Sequence, residues 1–234
     1  MRSTLLALCA SLLASAPALA AQGRTISFQT EDGWTISGRY LPPRKSRTVV
    51  IFAHGVAAGK GEWATFQDEL GRRGIGSLAI DLRGHGDSQS GPKGRTDFSG
   101  FDESGEWSRA GKDIEAAVAY LSKRGIPARR IGYVGASIGA NLVAATNPAP
   151  RWLALLSPGV NYRGVRLPPP PSGLPVLVAA SPGDDYAFRT ASEYASARSD
   201  ITFLQAKQGH GAQMLVDPEF LKGFLAWIER SHGQ

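Results

Sequence analysis

Apolar runs alternate with helix-patterned segments along this sequence, and this alternation constrains the fold more than any other feature. The runs at 48–53, 131–134 and 175–180 are largely apolar, as expected for strands that are buried on both faces. Segments at 62–73 and 107–123 instead repeat apolar residues at helical spacing. The alternation predicts an α/β fold with a mostly parallel central sheet and helices on both of its faces.

The pattern predicts about eight strands, near residues 24–28, 35–40, 48–53, 76–80, 131–134, 152–156, 175–180 and 201–204. A turn signal at Glu31-Asp32-Gly33 joins the first two as a hairpin. The four prolines at 168–171 form a stiff loop rather than a domain linker, because too little chain lies on either side for two separate sheets. We therefore expect a single domain over residues 21–234.

Residues 1–20 have the plan of a cleaved secretory signal peptide. Arg2 supplies a positive charge, residues 5–13 form a short apolar run, and Ala18-Leu19-Ala20 is a small-residue cleavage site. The apolar run is too short to serve as a permanent membrane-spanning anchor. We therefore expect a periplasmic or secreted protein. Its one cysteine, Cys9, would leave with the signal peptide, so we expect neither a disulfide nor a thiol nucleophile.

The charge of the chain gives little support to a nucleic-acid partner. The net charge is +6, and the densest basic clusters, at 44–47 and 129–130, flank predicted strands, which favours a solvated surface. The sequence contains neither a metal-ligand spacing nor a phosphate-binding glycine loop. We expect a small-molecule substrate, no cofactor, no metal, no nucleic acid and no stable membrane span. The oligomeric state stays open.

A G-x-S-x-G sequence, Gly135-Ala136-Ser137-Ile138-Gly139, follows one predicted strand and begins a predicted helix. In this position the pattern is typical of a serine nucleophile held in a sharp strand-to-helix turn. The glycines two residues before and after Ser137 leave room for the turn. Because the chain contains 28 glycines, five residues alone are weak evidence, and a base and an acid must support them.

A serine nucleophile needs a base, and the base needs a group that orients it. Of the four histidines, only His210 follows both the serine and a suitable acid, and it lies between the last predicted strand and the last helix. The acid is expected directly after the strand at 175–180, where Asp184 and Asp185 stand. An aspartate in such a Pro-Gly turn can also serve the turn alone. We favour Asp184 and keep Asp185 as the alternative.

Two backbone amides are expected to stabilise the oxyanion that forms when a carbonyl is attacked. One belongs to Ile138, the residue after the serine. The other is expected from the loop after the third strand, at 52–59, with Val56 as the donor. His54 in that loop is interpreted as a residue that shapes the loop rather than as a base.

These residues together resemble the α/β-hydrolase superfamily. The resemblance rests on His54-Gly55, the serine pentapeptide, Asp184, Gly209-His210-Gly211 and the D-x-R-G-H-G-x-S stretch at 81–88. It extends from about residue 26 to the last helix, and the stretch at 81–88 is more specific than the serine motif. In the superfamily that stretch is a structural loop near the site, so the resemblance implies no chemical role for its His85 and Asp87.

Within the superfamily the chain is most similar to the small dienelactone-hydrolase-like and prolyl-oligopeptidase-like esterase branch, which Leu156-Ser157-Pro158-Gly159 supports. The usual G-x-x-D around the acid appears here as Ser181-Pro182-Gly183-Asp184, and this departure keeps Asp185 open. Relatives often insert a cap after the strand that follows the nucleophile helix, and 157–174 is too short for a cap domain. The irregular stretch at 89–106 is either one wall of the pocket or a surface loop.

The resemblance implies an exported serine hydrolase that cleaves carboxylic esters through a Ser-His-Asp triad and an acyl-enzyme intermediate. A peptidase that acts on short peptides is one alternative. A binding protein that keeps the hydrolase fold without catalysis is another, since fold does not guarantee function.

Overall fold

The computed structural model describes residues 23–44 and 48–233, so the predicted signal peptide at 1–20 lies outside the described residues. The twelve strands of the described chain are β1 Arg24–Gln29, β2 Thr35–Leu41, β3 Val49–Ala53, β4 Gly76–Ile80, β5 Ser90–Gly91, β6 Gly94–Arg95, β7 Ile131–Ala136, β8 Trp152–Leu156, β9 Asn161–Tyr162, β10 Val165–Arg166, β11 Val176–Ala180 and β12 Thr202–Gln205. The α-helices are α1 Ala64–Arg72, α2 Phe101–Ser104, α3 Glu106–Arg109, α4 Gly111–Ser122, α5 Ile138–Ala145, α6 Asp185–Ser196 and α7 Pro218–Gly233.

Ten of these strands form one central sheet, in which β12, β11, β8, β7, β3, β4 and β2 lie side by side in that order. The pairs from β12 to β4 are all parallel, whereas β2 runs antiparallel to both β4 and β1. The short β5–β6 hairpin continues the edge beyond β2. The predicted α/β fold with a mostly parallel sheet is confirmed. The eight predicted strands correspond to the longer strands of this sheet, and the two-residue β5 and β6 were not predicted.

Each face of the sheet carries its own apolar layer. On one face α4, α5 and α6 pack through buried side chains such as Ile114, Leu142 and Tyr194. On the other face α1 and α7 pack through Leu70 and Phe224. The central strands β3, β4, β7, β8 and β11 are buried along their whole length, which explains why their sequences are nearly continuous apolar runs.

The stretch at 89–106, predicted as irregular, contains the β5–β6 hairpin and α2. Its Phe98 stacks on His85 with ring centroids 4.2 Å apart, and Phe101 packs edge-on against Trp107 at 5.3 Å. The stretch therefore covers part of the core beside the loop at 81–88. None of the helices in residues 23–44 and 48–233 is long and apolar enough to cross a membrane.

The short segment after β8 folds into the β9–β10 hairpin. The Asn141 amide on α5 donates hydrogen bonds to the carbonyl oxygens of Gly159 and Val165, at 2.7 and 2.8 Å. One buried side chain thus fixes both ends of the hairpin to the helix that follows Ser137. This places the hairpin beside the carboxyl ends of the central strands.

Candidate active site

Ser137 occupies a strained turn between β7 and α5. Its φ of +55° lies in the left-handed region, where a residue other than glycine is uncommon. A methyl group at Gly135 would lie 2.2 Å from the Gly139 carbonyl oxygen, and one at Gly139 would lie 2.5 Å from the Ala53 carbonyl oxygen. The two glycines of the pentapeptide are therefore required by close backbone contacts. The turn leaves Ser137 with only 9% of its surface exposed.

His210 lies at the beginning of the 3₁₀ segment 211–216, and its ring faces Asp184. The His210 Nδ1 and the Asp184 Oδ2 are 2.5 Å apart. This contact places the proton on Nδ1 as the donor and leaves the Nε2 lone pair free to accept a proton. Asp185 is exposed and is the first residue of α6, where a carboxylate is favoured by the helix N-terminus. The structure therefore brings Asp184, and not Asp185, to His210.

Ser137 and His210 line the same cavity of about 290 Å³. Gly211 brings the histidine loop close to the serine turn, because a methyl group at Gly211 would lie 3.0 Å from the Ala136 Cβ. The Gly211 amide also donates to the Ser157 hydroxyl at 2.9 Å. Among the hydrogen bonds of the described residues, none joins Ser137 to His210 directly.

Of the two amides predicted for the oxyanion, one belongs to a residue of this cavity and the other to the residue after Ser137. Val56 lines the cavity wall, and Ile138 is the first residue of α5, so its amide has no acceptor within the helix. Neither amide donates to a turn or loop carbonyl in the described part of the chain. A methyl group at Gly55 would lie 3.2 Å from the Ser137 Cβ, so the loop closely approaches the serine.

His54 is part of that loop, and its side chain is fully buried. Its Nε2 accepts the Leu82 amide at 2.9 Å, and its Nδ1 donates to the Gly55 carbonyl at 2.6 Å. Burial, followed by the neighbouring His85, lowers the pKa of His54 to about 4. Both ring nitrogens are thus engaged in positioning the backbone, in agreement with the interpretation of His54 as a shaping residue.

The loop at 81–88 also carries a buried charge cluster. Arg83 is fully buried, and its backbone amide and Nε donate to the two carboxylate oxygens of Asp113 at 2.7 and 2.9 Å. Its guanidinium also reaches Asp32 and Glu106, each at 2.9 Å. Burial raises the pKa of Asp113 to about 6, and the charge of Arg83 opposes this rise. The cluster ties the loop to α4 and to the β1–β2 hairpin.

Tyr162 in the β9–β10 hairpin was not found by sequence reasoning. Its ring lies edge-on to the His210 ring at 6.4 Å, and its hydroxyl donates to the Ser157 carbonyl at 3.3 Å. Burial and then the charge of Asp184 raise the pKa of Tyr162. The phenol therefore stays protonated and can donate a hydrogen bond beside the serine. A lone tyrosine in a loop gave no signal for this position.

Glu62 is a second residue that the sequence did not indicate. It lines the Ser137 cavity near Gly55. Burial of its carboxyl raises the pKa of Glu62 to about 7, and the Gly55 amide opposes this rise. The residue as a whole is solvent-exposed, so its carboxyl is open to the cavity and to water.

Three features are those of an α/β hydrolase. They are the order of the strands in the sheet, the strained turn at the serine, and the aspartate–histidine pair that follows β11 and β12. The chain belongs to the family of hydrolases described as "Serine aminopeptidase, S33", whose family model matches residues 44–219. An uncharacterized protein of Mycobacterium tuberculosis is 28% identical over 236 residues, which cover 89% of this chain and 78% of that protein.

Solved structures share the fold at lower identity. The Pyrococcus furiosus esterase Pf2001 superposes with a TM-score of 0.66 and 17% identity, over 91% of this chain and 93% of the esterase. A Xanthomonas campestris protein described as an α/β serine hydrolase without a lid superposes with a TM-score of 0.67 and 15% identity, over 92% and 97%. A putative aryl esterase of Burkholderia cenocepacia superposes with a TM-score of 0.69 and 13% identity, over 90% of this chain and 100% of that protein. These similarities show the fold of this chain.

Proposed function

We propose that this protein is an exported serine hydrolase that cleaves carboxylic esters, with Ser137 as nucleophile, His210 as base and Asp184 as the orienting carboxylate. The observation that carries the proposal is the 2.5 Å contact between His210 and Asp184, on the wall of the cavity that also contains Ser137. An aspartate fixes the tautomer of a histidine and stabilises its cation, which is what a serine nucleophile requires.

In the proposed reaction the Ser137 oxygen forms a bond to the ester carbonyl carbon while His210 takes the hydroxyl proton on Nε2. The carbonyl oxygen becomes an oxyanion, which the Val56 and Ile138 amides stabilise. The carbon–oxygen bond to the alcohol then breaks, and His210 returns the proton to the departing alcohol. Water attacks the acyl-enzyme with His210 again as base, and this step releases the acid and restores Ser137.

Ser137→Ala is the direct test of this reaction. We expect the variant to fold like the wild type and to lose p-nitrophenyl acetate hydrolysis by several powers of ten. A fluorophosphonate probe should label wild-type Ser137 and leave the variant unlabelled. Equal turnover by the two proteins would refute the assignment of the nucleophile, and an unreactive wild type would favour the non-catalytic binding protein.

The second candidate function is hydrolysis of short peptides, which the description of the matched family favours. An ester and an amide that share one acyl group separate the two functions, because the acyl pocket is then the same and only the leaving group differs. We expect the ester to be hydrolysed and the amide to be a much poorer substrate. Faster cleavage of the amide than of the matched ester would transfer the assignment to a peptidase.

Export is proposed from residues 1–20, whose sequence has the plan of a cleaved signal peptide. Expression of the full chain in a Gram-negative host tests it. We expect a periplasmic or secreted protein whose N-terminus, determined by mass spectrometry, is Ala21. A cytoplasmic product that retains Met1 would contradict export and leave the proposed chemistry untouched.

A further inference from the structure

An apolar groove of about 360 Å³ lies beside the Ser137 cavity. One wall is α1 with the 3₁₀ turn before it, and the other is the 3₁₀ segment 211–216 with the beginning of α7. This volume is within the range of roughly 300–1,000 Å³ that is typical of small-molecule sites. The side chains that line it include Thr65, Phe66 and Arg72 on the first wall and Ala212 and Val216 on the second.

The groove adjoins the Ser137 cavity. Glu62 and Ala212 line both the groove and the Ser137 cavity. Ala212 follows His210 by two residues, and Glu62 approaches the loop that carries Val56. A molecule whose carbonyl lies at Ser137 would reach the groove by crossing the boundary that Glu62 and Ala212 form.

The groove presents apolar side chains to solvent. Val216 is 75% exposed, which makes it the most exposed large apolar side chain in the part of the chain that the structure describes. Phe66 forms the base of the groove and stacks on Phe224, with ring centroids 5.3 Å apart. Exposed apolar surface with a polar rim is typical of ligand-binding grooves, because a bound apolar group removes that surface from water.

The charged residues of the groove are largely neutralised. Arg72 pairs with Glu69, with the Arg72 Nε 3.0 Å from a carboxylate oxygen, and Glu69 also pairs with Arg73 at 2.8 Å. Glu62 stands at the junction with the Ser137 cavity, and burial raises the pKa of its carboxyl, which favours the uncharged form. No unpaired cation lines the groove, so an anionic group is not favoured there.

We propose that this groove binds an uncharged, apolar arm of the ester substrate while the carbonyl lies at Ser137. The proposal rests on the proposed ester hydrolysis and specifies its substrate class as esters with an extended apolar arm. The arm is either the acyl chain or the alcohol, and both have the same chemistry in the groove. Its length, and not its charge, determines the fit.

Two ester series test the proposal. One extends the acyl chain from p-nitrophenyl acetate to the octanoate, and the other extends the alcohol from ethyl to octyl acetate. In the series whose extended arm occupies the groove, we expect the wild-type kcat/KM for the eight-carbon arm to exceed that for the two-carbon arm by about tenfold or more. Val216→Glu places a charge in the groove and should lower that preference by about fivefold or more. Thr65→Trp, at an exposed position of α1, should shift the optimum to a shorter arm by filling the groove.

Val160→Glu is the matched control, because Val160 is also an exposed valine, at 57%, and does not line the groove. It should keep the wild-type length preference. An unchanged preference in Val216→Glu and Thr65→Trp, or an equal loss in the control, would overturn the groove as the site. Failure of the proposed function has a different signature, since the wild type would then neither hydrolyse any ester nor react with a fluorophosphonate. That result would overturn both proposals.

Discussion

The Lys60 ammonium lies 2.5 Å from the Asp81 carboxylate, and the Lys60 backbone amide donates to the other Asp81 oxygen at 2.7 Å. Asp81 follows β4 and is almost completely buried. The Asp87 amide also donates to Asp81, at 2.9 Å. One buried carboxylate therefore ties the loop that carries Val56 to the end of the sheet, and it fixes the position of a proposed oxyanion donor.

Lys60→Met should loosen this loop and lower kcat by about tenfold or more, because a small displacement of a stabilising group is costly in the transition state. KM should change less than kcat. The kinetics of ester hydrolysis, measured well below the melting temperature of the variant, give kcat and KM separately and check this difference. Asp87→Asn is the control, since Asp87 contacts the same lysine at 2.7 Å but is exposed. Similar kcat values for Lys60→Met and the wild type would contradict the anchoring role.

Asp184→Asn should lower kcat by about 10⁴-fold, because an amide leaves His210 in the wrong tautomer. Asp185→Asn should retain activity close to that of the wild type, since Asp185 is exposed at the beginning of α6. Single-turnover ester hydrolysis by the two variants decides between the neighbours. The reverse ranking would transfer the role of the acid to Asp185.

Tyr162→Phe should lower kcat/KM by about tenfold, because it removes one hydrogen-bond donor beside Ser137 while keeping the ring against His210. Tyr186→Phe is the matched control. The Tyr186 hydroxyl contacts the backbone of Asn161, with hydrogen bonds of 3.0 and 3.1 Å, and holds the hairpin from outside. If both variants lose the same activity, the hairpin position matters and the Tyr162 hydroxyl itself does not.

Arg83→Met should lower the free energy of unfolding by about 3–5 kcal/mol, because it leaves Asp113 buried without its partner. Arg163→Met, which removes an exposed ion pair with Asp102, should cost about 1 kcal/mol or less. Urea unfolding at pH 7 measures both. A cost for Arg83→Met as small as that of the control would mean that the buried cluster contributes little.

His54 should make the protein less stable in mild acid. The pKa of His54 is about 4 in the folded protein and its ordinary value is 6.5, so the unfolded chain binds a proton first as the pH falls. The contribution of the neutral, buried His54 to the free energy of unfolding is fully present above pH 6.5. It is lost progressively as the pH falls toward 4, by up to ~3 kcal/mol. Urea unfolding at pH 7, 6 and 5 should show a smaller decline for His54→Gln than for the wild type. Parallel declines would contradict this origin.

Most of the sheet was predictable because the buried parallel strands have continuous apolar sequences that need no knowledge of their partners. The two-residue strands β5 and β6 were not, because such short segments carry no periodicity. The predicted helix at 107–123 is divided at Ala110 into α3 and α4. Apolar spacing alone does not show that kind of interruption.

The candidate site likewise contains residues that the sequence predicted and residues that it did not. Ser137, His210 and the loop with Val56 follow strand ends, and the carboxyl ends of parallel strands meet at one edge of the sheet. The choice between Asp184 and Asp185 depended on where α6 begins, which a Pro-Gly turn does not fix to one residue. Tyr162 reaches the His210 ring and Glu62 reaches the cavity through contacts between separate segments of the chain, and no local pattern encodes such contacts.

The β9–β10 hairpin turns through Arg163 and Gly164, which both have positive φ angles, and a methyl group at Gly164 would meet no neighbouring atom within 4 Å. Exposed loop tips of this kind tolerate inserted sequence. Asn141 holds the hairpin base from inside, so additional chain at the tip would extend outward beside the serine without disturbing the sheet. The tip of the hairpin is thus a position at which an engineered insertion could cover the active site.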